Sequence, residues 1–256
     1  MKIKKNVTLL LGSCLLFSLS SCGLFYKDNS EDDYNLFIIG QKSQIEGEYR
    51  DAKKVYQKLI SEYPDSNLRA KAILGLADAE FNNGDYLEAE FEYQKFIELY
   101  PNHEHIGKAF FYKGMSHYMQ MVDVDRDITQ TQEAFDAFGY LLENYPESPY
   151  AAEAKIKRAE CRKRLGESIM SIASYYFDIA AYGSAIERCI EYISSYSDGK
   201  DVDYALYILG ESYLEETNTK KAKSWFQKLI DNFPDSDYAG KSKSRIADIE
   251  RKEATH

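Results

Sequence analysis

Residues 84–101 read GDYLEAEFEYQKFIELYP. Ala89, Tyr93, Phe96, Ile97 and Tyr100 fall at offsets 0, 4, 7, 8 and 11, the spacing that places side chains on one face of an α-helix. Gly84-Asp85-Tyr86 precedes them as a turn signal. Pro101 stops the run, because proline lacks the N–H and disfavours helical backbone in the residue before it. The same face recurs four times. It runs from Ala52 through Tyr56, Leu59, Ile60 and Tyr63, and from Ala134 through Phe138, Leu141, Leu142 and Tyr145. It runs again from Ala185 through Cys189, Tyr192, Ile193 and Tyr196, and from Ala222 through Phe226, Leu229, Ile230 and Phe233. Pro64, Pro146 and Pro234 follow as the stop, and Ser197 stands there in the fourth copy.

The segments before each anchor repeat as well. Small residues lie 13 beyond each stop position, at Ala77, Gly114, Ala159, Gly210 and Ala247. In four copies one lies 12 before the anchor, at Gly40, Ala77, Ala173 and Gly210. Each is expected to let two helices approach closely. Gly47-Glu48-Tyr49 supplies another turn. Ser66, Ser148 and Ser236, after Pro-Asp or Pro-Glu, are expected to cap the next helix. The pattern resembles the tetratricopeptide repeat. The fold class expected is therefore all-α: a tetratricopeptide-repeat solenoid of five repeats plus a C-terminal capping helix.

The anchors are 37, 45, 51 and 37 residues apart, against a usual unit of about 34. The second gap is assigned to a polar loop over residues 119–132, within repeat three. The third is assigned to one long helix over residues 149–178, about 45 Å in length, between repeats three and four. It would divide the array into an N-terminal half, 34–148 (repeats one to three), and a C-terminal half, 149–256 (repeats four and five and the capping helix).

Residues 1–21 read differently. Lys2, Lys4 and Lys5 precede a 13-residue apolar run from Val7 to Leu19. As a helix that run spans about 20 Å, short of the roughly 30 Å of a hydrocarbon core, so it reads as an export signal. Leu19-Ser20-Ser21-Cys22 resembles the bacterial lipobox. The resemblance implies cleavage before Cys22, acylation of Cys22, and a lipidated linker over 22–33. Gly23, in place of Asp, implies sorting to the outer membrane. Removing residues 1–21 leaves 235 residues at a formal charge of −13.

That charge argues against nucleic acid, which needs clustered Lys and Arg, and against a polybasic hold on anionic lipid. Cys161 and Cys189 remain as thiols; they either pair or serve as small buried helix residues, and the second reading is preferred. His103, His105, His117 and His256 fall in no metal-ligand or triad spacing, and no nucleophile-elbow or phosphate-loop motif occurs. Acidic pairs such as Asp32-Asp33 and Glu215-Glu216 read as solvated faces or caps. No enzymatic role and no cofactor is expected.

Lipobox and insertions together resemble the BamD family, lipoproteins of the outer-membrane β-barrel assembly machine. The matching stretches are Asp125-Arg126-Asp127, Glu133-Ala134-Phe135, residues 145–151 (YPESPYA), residues 172–176 (IASYY) and residues 181–188 (AYGSAIER). Ile128 and Ser197 depart from the family's usual prolines. The resemblance implies a non-enzymatic subunit on the periplasmic face of the outer membrane. Its implied partners are a BamA-like β-barrel subunit, docked on repeats four and five, and the aromatic C-terminal segments of unfolded outer-membrane proteins. Further assembly lipoproteins are possible partners. Arg188 is a candidate BamA contact, or else an ion-pair partner of a neighbouring glutamate. A polysaccharide-binding outer-membrane lipoprotein and a periplasmic repeat scaffold for envelope maintenance are the alternative functions.

Inner helices of such arrays line a concave surface. In the standard phase the groove positions are Phe37 and Gln41; Lys71, Leu74, Asp78 and Phe81; and Lys108, Phe111, Met115, Tyr118 and Met119. Aromatic walls with adaptable Met suit varied apolar peptides, and Lys71 and Lys108 suit a terminal carboxylate.

Overall fold

The structure, a computed structural model, describes residues 32–124 and 126–254. The export signal, Cys22 and most of the linker lie outside the described residues, as does Asp125. Eleven helices follow in order: α1 (Asp33–Ile45), α2 (Tyr49–Glu62), α3 (Arg69–Asn83), α4 (Tyr86–Leu99), α5 (Ile106–Met119), α6 (Thr129–Asn144), α7 (Ala151–Asp178), α8 (Tyr182–Ser195), α9 (Val202–Glu215), α10 (Thr219–Asn232) and α11 (Asp237–Ala254). Each packs on the next, giving five pairs and a final cap, and odd-numbered helices also touch as α1–α3, α3–α5, α7–α9 and α9–α11. The core is a string of local clusters, each shared by neighbouring repeats.

The packing unit is a ring in a socket. The aromatic residue four beyond each anchor is wholly buried against a small residue on the preceding helix. A Cβ added to Gly210 would stand 2.2 Å from Phe226, one on Gly114 2.8 Å from Phe138, and ones on Gly40 and Gly75 2.6 and 2.7 Å from Tyr56. In repeat four the exchange is reversed: Ala173 fills part of the socket and the smaller Cys189 replaces the ring, both buried. Ala159 and Ala247 do not serve this purpose; both are exposed. The 28-residue α7 carries its socket further along, at Ala173, and α11 is the last of the described helices, with no described helix after it to seat a ring against Ala247.

The outer helices end alike. Tyr63, Tyr100, Tyr145, Tyr196 and Phe233 leave helical geometry with φ between −126° and −135° and ψ between 48° and 63°. Tyr196 does so although Ser197 follows it, so proline reinforces this ending without being required. The turn before the anchor needs a left-handed residue, and Gly47 and Gly84 supply it (φ +78° and +86°). Ala180 and Thr217 hold the same place in repeats four and five at φ +59° and +60°. Ser66 and Ser148 accept from the N–H two residues on and close a turn ahead of the helix instead of capping it, whereas Ser236 stands directly before α11 and caps it by accepting from the Tyr238 N–H. Ser66 and Ser236 also donate to Asp33 and Asp203 of the preceding inner helix, at 2.5 and 2.6 Å, and so stitch adjacent repeats.

The polar loop is shorter than its sequence suggested: residues 120–128, since α6 begins at Thr129. Asp127 accepts from both the N–H and the hydroxyl of Thr129, which draws that residue into the helix start. Arg164 of α7 donates to the Val122 carbonyl and ties the loop down. The long helix forms as expected. Cys161 and Cys189 are free and buried, and burial pushes their thiols up to about 11 and about 12.

Gly210→Ala is expected to destabilise the chain by about 1–3 kcal/mol, because the buried ring of Phe226 has nowhere to move. Phe226→Leu in the same chain should recover part of that loss. Thermal unfolding followed by circular dichroism measures both.

Candidate functional site

Inner helices α1, α3 and α5 present the surface that the sequence singled out. Phe37 is half-buried, its ring 6.1 Å from that of Tyr56. Gln41, Lys71 and Met119 are exposed, and Phe81, Met115 and Tyr118 are half-buried. Leu74 and Phe111 are corrected: they are 4% and 2% exposed and belong to the core. Leu74 packs in the cluster that holds Tyr93 and Phe96. Phe111 is covered by Tyr150 at the head of α7, with rings stacked at 5.0 Å. Helix phase alone did not reveal that covering helix.

The middle of the surface is a polar knot. Asp78 accepts from the Tyr93 hydroxyl at 2.8 Å and pairs with Lys108 at 2.5 Å. Lys108 is therefore already engaged by a carboxylate of its own chain, whereas Lys71 is exposed on the first turn of α3. Lys108 also lies 5.7 Å from the ring centre of Tyr112. Around the knot the rings run on: Tyr86 to Phe81 at 5.3 Å, Phe81 to Tyr112 at 5.2 Å, and Tyr112 to Tyr150 at 5.8 Å. Burial, with Tyr150 and Asp78 nearby, holds the Tyr112 hydroxyl above its ordinary value. A cleft of about 620 Å³ opens beside Lys108, its wall including His105, Tyr145, Ser148 and Tyr150. Tyr112 and Tyr150 were missed in the sequence. Tyr112 stands one position off the chosen phase, and Tyr150 enters from the next repeat.

Long side chains bridge from α5 to α7. Tyr118 donates to Glu160 at 2.5 Å, and the Lys157 ammonium stands 4.5 Å over its ring. That hydrogen bond, with Lys157 beside it, holds the Glu160 carboxyl low, and the same bond holds the Tyr118 hydroxyl high. In the other half, Glu211 takes a two-pronged hold from Arg245 at 2.8 Å, in the register that Asp78 occupies in repeat two. Arg188 is exposed and pairs with Glu191 at 2.6 Å. Among the described residues no group of three or more His, Cys, Asp or Glu is placed to hold a metal. No described helix is long and apolar enough to cross a membrane.

Five helix pairs and a capping helix, with an aromatic inner surface, define a helical-repeat protein of the tetratricopeptide kind. The model of the YfiO outer membrane lipoprotein family matches residues 29–224 and 189–256, and the chain belongs to that family. It is 28% identical over 247 residues to the outer membrane protein assembly factor BamD of Neisseria meningitidis serogroup B, covering 90% of this chain and 92% of that one. It is 29% identical over 214 residues to BamD of Vibrio cholerae serotype O1, covering 80% and 88%. The TPR2AB domain of yeast Sti1, in its pHSP90 complex, aligns with 87% of this chain and 86% of its own at 14% identity and a TM-score of 0.46.

One buried charge beside this surface sets a pH response. Glu80 is 4% exposed, and one of its carboxylate oxygens has no hydrogen-bond partner. Lys53 stands 3.7 Å away but is drawn to Asp85 at 2.7 Å. Burial, outweighing Lys53, raises the carboxyl from 4.5 to about 7. The folded chain therefore holds a proton that the unfolded chain releases, and this group's contribution to stability falls as pH rises from about 4.5 to about 7. Glu80→Gln is expected to stabilise the chain by about 1–3 kcal/mol at pH 8 and to change little at pH 5. Thermal melts at the two pH values test this; a loss of stability at pH 8 would mean that the Lys53 pairing dominates.

Proposed function

We propose that this chain is an outer-membrane protein assembly factor, a lipoprotein subunit of the β-barrel assembly machinery held at the periplasmic face by acyl chains on Cys22. Membership of an outer membrane lipoprotein family carries this reading, and the lipobox at Cys22 and the BamD relatives support it. The role is that of a scaffold, performed by surfaces and without a cofactor. Repeats four and five dock a BamA-like β-barrel subunit. Arg188 serves that contact by exchanging Glu191 for a partner carboxylate, an exchange of low cost on an exposed helix face. Other assembly lipoproteins share the complex.

The inner surface of repeats one to three receives the aromatic C-terminal segments of unfolded outer-membrane proteins. Phe81, Tyr112, Met115, Tyr118 and Met119 supply rings and flexible sulfur side chains that accept varied apolar residues. Lys71 attracts the terminal carboxylate.

Affinity purification of the full chain from solubilised outer membranes should bring down a large β-barrel protein; its absence would defeat the assembly role. The groove is tested separately, by titrating a labelled C-terminal β-barrel peptide onto the wild type and onto Phe81→Ala/Tyr118→Ala. The variant is expected to bind about tenfold more weakly, the range in which aromatic interface anchors fall. Equal affinities would remove the groove from the proposal.

A further inference from the structure

The two ends of the solenoid differ in a way that packing within the chain does not explain. Helix α11 closes the C-terminal end with a polar outer face; none of its large apolar residues is exposed. Terminal repeats need such a face to stay soluble. Helix α1 closes the other end and lacks one. Its buried residues, Leu36, Gly40 and Ser43, face α2 and α3. On the opposite side Tyr34, Ile38 and Ile45 are 61%, 43% and 87% exposed. At 100° per residue these three fall on one stripe, flanked by Gln41 on the groove side and by Lys42 on the other, with Ile39, 43% exposed, beyond Lys42. Among the described residues no helix stands before α1 to cover them.

We infer that this outward stripe of α1 lies in the headgroup–acyl boundary of the same membrane that takes the Cys22 acyl chains. The inference rests on the anchor reading and adds an orientation to it. Cys22 stands eleven residues before Asp33, a tether of at most about 38 Å when fully extended. An anchored chain therefore holds α1 within reach of the bilayer at high effective concentration. Tyrosine and isoleucine side by side suit that boundary, where one end of the tyrosine stays wet. With residues 1–21 removed, the formal charge of −13 offers no attraction to anionic lipid, so apolar contact and tether act alone. Seated this way, the α1 end of the array meets the membrane and the capping helix points away from it.

The test uses the full, processed chain in phosphatidylethanolamine–phosphatidylglycerol vesicles, with an environment-sensitive dye on Ile45→Cys or, as control, on Ala247→Cys of α11. Buried Cys161 and Cys189, with raised thiols, stay unlabelled. The dye at position 45 should shift to the blue and be quenched by a lipid nitroxide at the acyl boundary several-fold more than the dye at 247. Equal, weak quenching at both sites, with acyl chains on Cys22 confirmed by mass spectrometry, overturns the docking and leaves the anchor standing. Efficient cross-linking between Ile45→Cys copies overturns it in favour of self-association. Absence of acyl chains on Cys22 overturns the anchor and the docking with it.

Discussion

Every repeat in this chain depends on a ring, or a substitute for one, seated against a small residue of the preceding helix. Phe226 fits only because Gly210 carries no side chain, and Tyr56 is gripped between Gly40 and Gly75. The contact sets how closely each pair of helices can approach. In repeat four the volume is shared differently, with Ala173 taking what Cys189 gives up. Close packing at this position, more than any one residue type, keeps five unequal sequences in one geometry. The serine stitches to Asp33 and Asp203 then fix neighbouring repeats at their ends.

Given that frame, the inner surface is an arrangement of leftovers. Residues that the sockets do not use meet there, together with the hydroxyl end of one socket ring: the Tyr93–Asp78–Lys108 knot, the rings of Phe81, Tyr112 and Tyr150, and the Tyr118–Glu160 bridge. The knot has two effects. It satisfies a charge and a phenol that would otherwise be costly to half-bury, and it neutralises a lysine that the sequence offers as a free cation. What is left for a ligand is more aromatic and less charged than the residue types alone suggest.

Much of the fold could be read in advance because helix periodicity, turn residues and prolines are local signals. The five anchors, the five outer-helix endings and the long α7 all emerge from spacing. Failures came where a distant segment decides. Phe111 has the phase of a groove residue, yet Tyr150, 39 residues later, covers it. Ala159 has the spacing of a socket but sits on a helix whose socket lies elsewhere. The exposed stripe on α1 is not legible in the sequence because its residue types are those of a core helix; what exposes them is that no described helix precedes α1. Cys22 and the export signal rest on sequence alone, since they lie outside the described residues.

Helix α7 couples the two halves of the array mechanically. A 28-residue helix spans about 42 Å, and this one supplies the last inner wall of repeat three and the first of repeat four. Its head covers Phe111 and its tail holds the Ala173 socket. Two repeat arrays joined by a flexible linker could turn independently. Joined through one continuous rod, they share an axis, so a torque applied to the C-terminal repeats is delivered to the aromatic surface of repeat three. The insertion that breaks the regular repeat length makes the array behave as a single lever.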